Sequence, residues 1–114
     1  MKVTCGADEP ERSNQGFTVS ATAVATGADV SLWLTGDATW FAVPGRAEAF
    51  RLEGAAPLAD LLGAVLAGGR VTVCTQCAGR RGLGQDDLLP GVRLAGAPSY
   101  VEEVLAEGVQ ALVY

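Results

Sequence analysis

Residues Arg70 to Leu83 read R-V-T-V-C-T-Q-C-A-G-R-R-G-L. Val71, Thr72 and Val73 are β-branched and suit a strand ending at Cys74. Just upstream, Pro57 stands where a first helical residue belongs. Leu58, Leu61, Leu62, Val65 and Leu66 then fall on one helical stripe, closed by Gly68-Gly69. A helix that feeds a strand across two glycines is half of a parallel crossover unit. Beyond Cys74, Gly79, Gly82 and Gly84 keep any following helix short.

The chain on either side repeats this alternation. Lys2–Cys5 is strand-like and Gly6 breaks it. Asp8 is expected to cap a helix, with Glu11 completing a capping box and Pro10 in the first turn. That helix runs to about Thr26, where Gly27 supplies a left-handed stop, and Phe17, Ala21, Val24 and Ala25 form its inner face. Asn14 and Gln15 read as a solvated helix face. Val30–Leu34 is a second strand, and Asp37 then caps a single turn, Ala38–Phe41. Trp33 and Phe41 read as core, and Pro44 to Ala56 as an irregular loop.

After the cysteine segment, Asp86–Leu89 makes a helical turn and Val92–Ala95 a strand. Pro98 opens a last helix with Tyr100, Val101, Val104 and Leu105 inward. Val109–Tyr114 is a terminal strand expected to be buried on both faces. No hairpin signal appears. The pattern predicts an α/β fold, a three-layer α/β/α sandwich with a mostly parallel sheet of about five strands, in one domain spanning residues 1–114.

Composition narrows the function. The chain has 114 residues, of which 49% are hydrophobic and 18% charged, so it can bury one core. No apolar run reaches the roughly 20 residues needed to span a bilayer. No apolar leader precedes the first strand, so a cytoplasmic protein with no membrane partner is expected. A net charge of −5 argues against a nucleic-acid partner. There is no histidine, which excludes Ser/His/Asp and Cys/His catalysis within one chain and any His-containing zinc site. Three thiolates with a carboxylate remain a conceivable zinc set, but no metal or other cofactor is expected from the spacing. The run R-R-G-L-G lacks the spacing and lysine of a phosphate loop.

The chemistry is expected at the cysteines. Three of them, in a chain without a secretory signature, read as reduced thiols. Reactive groups in parallel sheets gather at the carboxyl ends of the strands. Cys74 and Cys5 therefore belong on one edge. Cys74 enters a short helix, where N–H groups and the cations Arg80 and Arg81 favour the thiolate, the form able to attack a sulfane sulfur or a disulfide. Cys77 lies one helical turn on and is the expected resolving partner. Arg80 and Arg81 are the expected anion-stabilising residues, and Cys5 and Trp40 the edge of the site. A thioredoxin-like reading fails on order, because this Cys-x-x-Cys follows the third strand and opens no long helix.

The stretch V-T-V-C-T-Q-C-A-G-R-R-G-L, followed by residues 86–114, resembles the DsrE-like sulfur-relay proteins, and the opening strand–helix–strand order fits as well. The resemblance implies a compact α/β subunit, assembled as trimers or hexamers of like chains. It aligns Cys74 with the family's persulfide-carrying cysteine, and Arg81-Gly82 with its Arg-Gly pair. Cys77 is additional relative to the family's sulfur-accepting subunit, and the G-D-A-T-W-F-A-V-P-G loop is particular to this branch of the family. On this resemblance the chain carries sulfur as a persulfide on Cys74, between sulfur-donor and sulfur-acceptor proteins, as a sulfurtransferase or a carrier without turnover of its own. The alternatives are a Cys74/Cys77 dithiol redox protein and a non-catalytic oligomeric binding module.

Overall fold

A computed structural model describes residues 1–114. Strands β1 (Lys2–Val3), β2 (Ser31–Leu34), β3 (Arg70–Cys74) and β4 (Val92–Ala95) pair in sequence order, all in parallel. Beyond β1 the carboxyl-terminal segment adds a parallel bridge, Lys2 to Val113. Its backbone bonds run from Lys2 N to Leu112 O, from Thr4 N to Tyr114 O and from Tyr114 N to Lys2 O. Four strands and this bridge stand where about five strands are expected.

Side chains alternate across the sheet, and the two faces are chemically different. Val3, Leu32, Leu34, Val71 and Val73 point into the main apolar core. There they meet α1 (Pro10–Ala25) and α3 (Leu58–Gly68). The leucine stripe behaves as the spacing predicts: Leu58, Leu62 and Val65 are buried, Leu61 and Leu66 half-buried. Between β2 and α3 lie a 3₁₀ segment, Gly36–Ala42, and the short α2 (Arg46–Ala49), a helix within the expected loop. Phe17, Phe41 and Phe50 interlock edge to face at 5.6 and 5.4 Å, which ties this insertion to α1.

Ser31, Trp33, Thr72 and Arg93 occupy the opposite face, covered by α5 (Ala97–Val104) after the five-residue α4 (Thr75–Gly79). Trp33 packs against Tyr100 at 5.3 Å. The Glu103 carboxylate accepts from Ser31 Oγ at 2.6 Å and Trp33 Nε1 at 2.8 Å, and it pairs with Arg93. Right-handed crossovers explain the layering. Three steps in one direction keep the connections on the α1/α3 side, and the return to β1 takes α5 across the other.

Several local expectations are corrected. Asp8 caps nothing: its Oδ1 accepts from Gly6 N at 2.7 Å, Glu9 is the cap residue, and the box with Glu11 does not form. The buried face of α1 is Ser13, Asn14, Gly16, Phe17 and Ser20, while Ala25 is exposed. The helix sits so close to β1 that a Cβ on Gly16 would lie 2.6 Å from Val3 Cγ2, so small side chains face the sheet. Asn14 is buried, donating to Ala56 O and accepting from Thr18 Oγ1. Val101 and Leu105, expected inward, are 48% and 78% exposed. The terminal segment, expected to be buried on both faces, leaves Val109, Leu112 and Val113 exposed.

Candidate functional site

The carboxyl ends of β1, β2 and β3 open on one edge, and all three cysteines lie there. β3 ends at Cys74, whose extended backbone (φ −65°, ψ 124°) makes it the cap residue of α4. Cys74 is half-buried, whereas Cys77 and Cys5 are 8% and 6% exposed. All three are free thiols. Burial alone pushes the Cys74 thiol up. That effect is outweighed by hydrogen bonds from the Cys77 N–H, the Cys77 thiol and the Gln76 N–H, and by the charge of Arg80, so Cys74 titrates below the ordinary 9.0. A five-residue helix has little macrodipole, and these two local N–H groups account for the backbone's part. Cys5 moves the other way: burial in the core raises it, against weaker opposing influences that include the charge of Arg12.

The two arginines separate. Arg80 is exposed and acts on Cys74 through charge. Arg81 is folded inward with its side chain 16% exposed, donating to Cys77 O at 3.1 Å and pairing with Asp37. Asp37 is therefore not a helix cap, and the 3₁₀ segment has no side-chain cap at all. The neighbouring Gly36 N–H donates to Cys77 Sγ at 3.2 Å. Gly36 has φ +51°, and a Cβ there would lie 2.3 Å from Thr4 O. Only glycine brings an amide this close to both β1 and the thiol.

The guanidinium groups of Arg46 and Arg81 lie 4.9 and 5.9 Å from the centre of the Trp40 ring. With Phe41, Phe50, Asp8 and Asp37, Trp40 lines a cleft of about 290 Å³ beside the cysteines. No cysteine lines that cleft. No three Cys, Asp or Glu side chains converge as a metal-ligating group.

Cys74, Cys77 and Arg81 are thus brought together as one unit, with Arg80 beside it and Trp40 behind Arg81. Cys5 shares the edge but belongs to the core. The sequence reading missed Gly36 and Asp37 as parts of the site. A signal was present, because Thr35-Gly36-Asp37 ends a parallel strand and so must emerge on the cysteine edge.

The DsrE/DsrF-like family model matches residues 2–113. This chain belongs to the DsrE/DsrF-like family. Its fold is similar to that of the YchN protein of E. coli, known from a crystal structure, with a TM-score of 0.78. The two share 19% identity over 99% of this chain and 96% of YchN, which shows a common fold and nothing narrower. No curated protein matches the chain in sequence. In this DsrE/DsrF-like chain no helix is long and apolar enough to cross a membrane.

Proposed function

We propose that this protein is a sulfur carrier that holds sulfane sulfur as a persulfide on Cys74. Family membership supports a function related to sulfur relay. The observation that carries the finer reading is a half-buried thiol at a strand end, made acidic by two backbone N–H groups, the Cys77 thiol and Arg80.

The Cys74 thiolate attacks the terminal sulfur of a donor protein's persulfide. One S–S bond forms, the donor's S–S bond breaks, and the donor leaves as a thiolate, with no net oxidation. An acceptor thiolate then attacks the same terminal sulfur and releases the Cys74 thiolate. Arg80 and the N–H groups of Gln76 and Cys77 stabilise the anion at either stage.

Cys77 gives a dithiol reading its own support, because its thiol is one of the groups that lower the Cys74 thiol's titration. Attack of a Cys77 thiolate on Cys74 Sγ of the persulfide would form the Cys74–Cys77 disulfide and expel hydrosulfide. Incubation with a persulfide donor separates the two readings by mass. The carrier gains one sulfur atom at Cys74 and keeps Cys77 alkylatable, whereas the dithiol protein loses both thiols without gaining sulfur.

Assembly belongs to the same proposal. Val101, Leu105, Val109, Leu112 and Val113 are exposed apolar side chains on α5 and the last segment. Exposed apolar patches mark association surfaces. We infer a homo-oligomer, a trimer or hexamer, working in the cytoplasm between donor and acceptor proteins. Light scattering of the purified protein tests it, and a monomer at micromolar concentration overturns it.

A further inference from the structure

Arg81 is held in an unusual position for a surface arginine. Its Nη1 donates to Cys77 O, its Nη2 to the Asp37 carboxylate, and its Nε is buried with no partner. A stranded guanidinium N–H is unfavourable. The two remaining bonds and the contact with Trp40 must outweigh it. These bonds join two segments far apart in the chain, the turn after β2 and the helix after β3. Asp37 is anchored from below as well, since its N–H donates to Thr4 O at 3.1 Å.

What this arrangement fixes is the adjacent amide. Gly36 N–H reaches Cys77 Sγ at 3.2 Å and occupies an acceptor direction of that sulfur. The thiol hydrogen of Cys77 is left free to point at Cys74. Remove the clamp and the Gly36–Cys77 bond is the one hydrogen bond left between the turn and α4, so the turn can shift and Cys77 can rotate its hydrogen elsewhere.

We propose that Asp37 and Arg81 are positioning residues: their pair clamps the 3₁₀ segment to α4, keeps the Gly36 N–H on Cys77, and so aims the Cys77 thiol at the Cys74 sulfur. The proposal rests on the sulfur-carrier reading only in taking Cys74 as the reacting atom. The charged groups around the pair are Arg80 and Arg81 from the end of α4 and Asp37 from the 3₁₀ segment, with Asp8 and Arg46 lining the cleft beside Asp37. β3 adds none nearer than Arg70 at its far end.

The sign of one measurement separates positioning from plain charge. Asp37→Asn removes a negative charge and frees Arg81, so electrostatics alone makes the Cys74 thiolate easier to form. Loss of the clamp makes it harder. The experiment is the rate of Cys74 alkylation by iodoacetamide against pH, resolved by peptide mass, in the intact protein. Asp37→Asn is expected to move the midpoint up by about half a pH unit, roughly a threefold loss of rate at neutral pH. Arg81→Lys keeps the charge but offers a point donor in place of the fork, and shifts the profile the same way. In a Cys77→Ala background, Asp37→Asn is expected to produce no upward shift, because there is no thiol left to aim.

A downward or absent shift in Asp37→Asn overturns the proposal, and so does an equal upward shift with and without Cys77. Circular dichroism confirms that each variant is folded, and Arg81→Lys carries the test should Asp37→Asn not fold. Sulfur loading from a persulfide donor is measured on the same samples. Failure to load, with the alkylation profiles as expected, removes the carrier reading and leaves the clamp standing.

Discussion

Replacing Glu103 by Ala removes the polar anchor between α5 and the sheet, and its cost can be worked from the contacts. Trp33 is 2% exposed, and its Nε1–H donates only to Glu103. Stranding that buried donor costs about 1–3 kcal/mol. Ser31 is half-buried and can turn towards solvent, so its bond adds roughly 0.5–1 kcal/mol. Arg93 is 47% exposed, and its pairing is screened to about 0.5 kcal/mol. A loss of roughly 2–4 kcal/mol follows, a drop of about 1–2 M in urea midpoint.

The pH dependence has a defined sign. Burial alone raises the Glu103 carboxyl, but bonds from Ser31, Trp33 and Arg93 and the charge of Arg93 bring it below the ordinary 4.5. Its contribution is therefore complete above 4.5 and is lost as pH falls through the lower folded-state value. Urea unfolding of wild type and Glu103→Ala, followed by tryptophan fluorescence near neutral pH and again in acid, measures both. A difference under about 0.5 kcal/mol at neutral pH, or one that does not shrink in acid, refutes the reasoning.

Other outcomes follow from the same contacts. Gly36→Ala places a Cβ 2.3 Å from Thr4 O at positive φ; it is expected to lose about 2–4 kcal/mol in urea unfolding and to slow Cys74 alkylation. In the wild-type protein the midpoint of that alkylation lies below 9.0, and Cys77→Ala, which removes one donor to the thiolate, moves it up. Leu105→Glu alters a side chain already 78% exposed, so the stability of the single chain stays within about 0.5 kcal/mol. The assembled form is expected to dissociate, as sedimentation or light scattering will report.

Local rules reached the parts of the fold that carry local signatures. The leucine stripe of α3, the strand ending at Cys74 and the alternation implying a parallel sheet were all legible in the sequence, because periodicity and glycine position encode them directly. Periodicity also showed an apolar side to α5, but it does not say what covers that side, and in this chain Val101 and Leu105 are left exposed. The terminal segment follows the same logic: Val109–Tyr114 is as apolar as a central strand, yet it stands at the sheet edge beside β1.

The polar partnerships were hidden for another reason. Asn14 with Ala56, Glu103 with Trp33, and Arg81 with Asp37 join residues 42, 70 and 44 positions apart. Such pairings depend on strand order, which local spacing does not encode. Asp8 and Asp37 were read as helix caps because an aspartate before a turn has that local meaning. In the folded chain Asp8 bonds the turn before its helix, and Asp37 is drawn to the arginine beyond Cys77. At the site itself, cysteine spacing and nearby cations were enough to single out Cys74. Gly36, which supplies the amide on Cys77, carries no chemical side chain to draw attention to it.

The most direct test is an intact-mass and peptide-mass measurement of the protein after incubation with a persulfide donor, beside Cys74→Ser treated in the same way. The account expects a gain of one sulfur atom on the peptide containing Cys74, removable by a thiol reductant and absent from the variant. An unchanged mass, or an equal gain in Cys74→Ser, contradicts it.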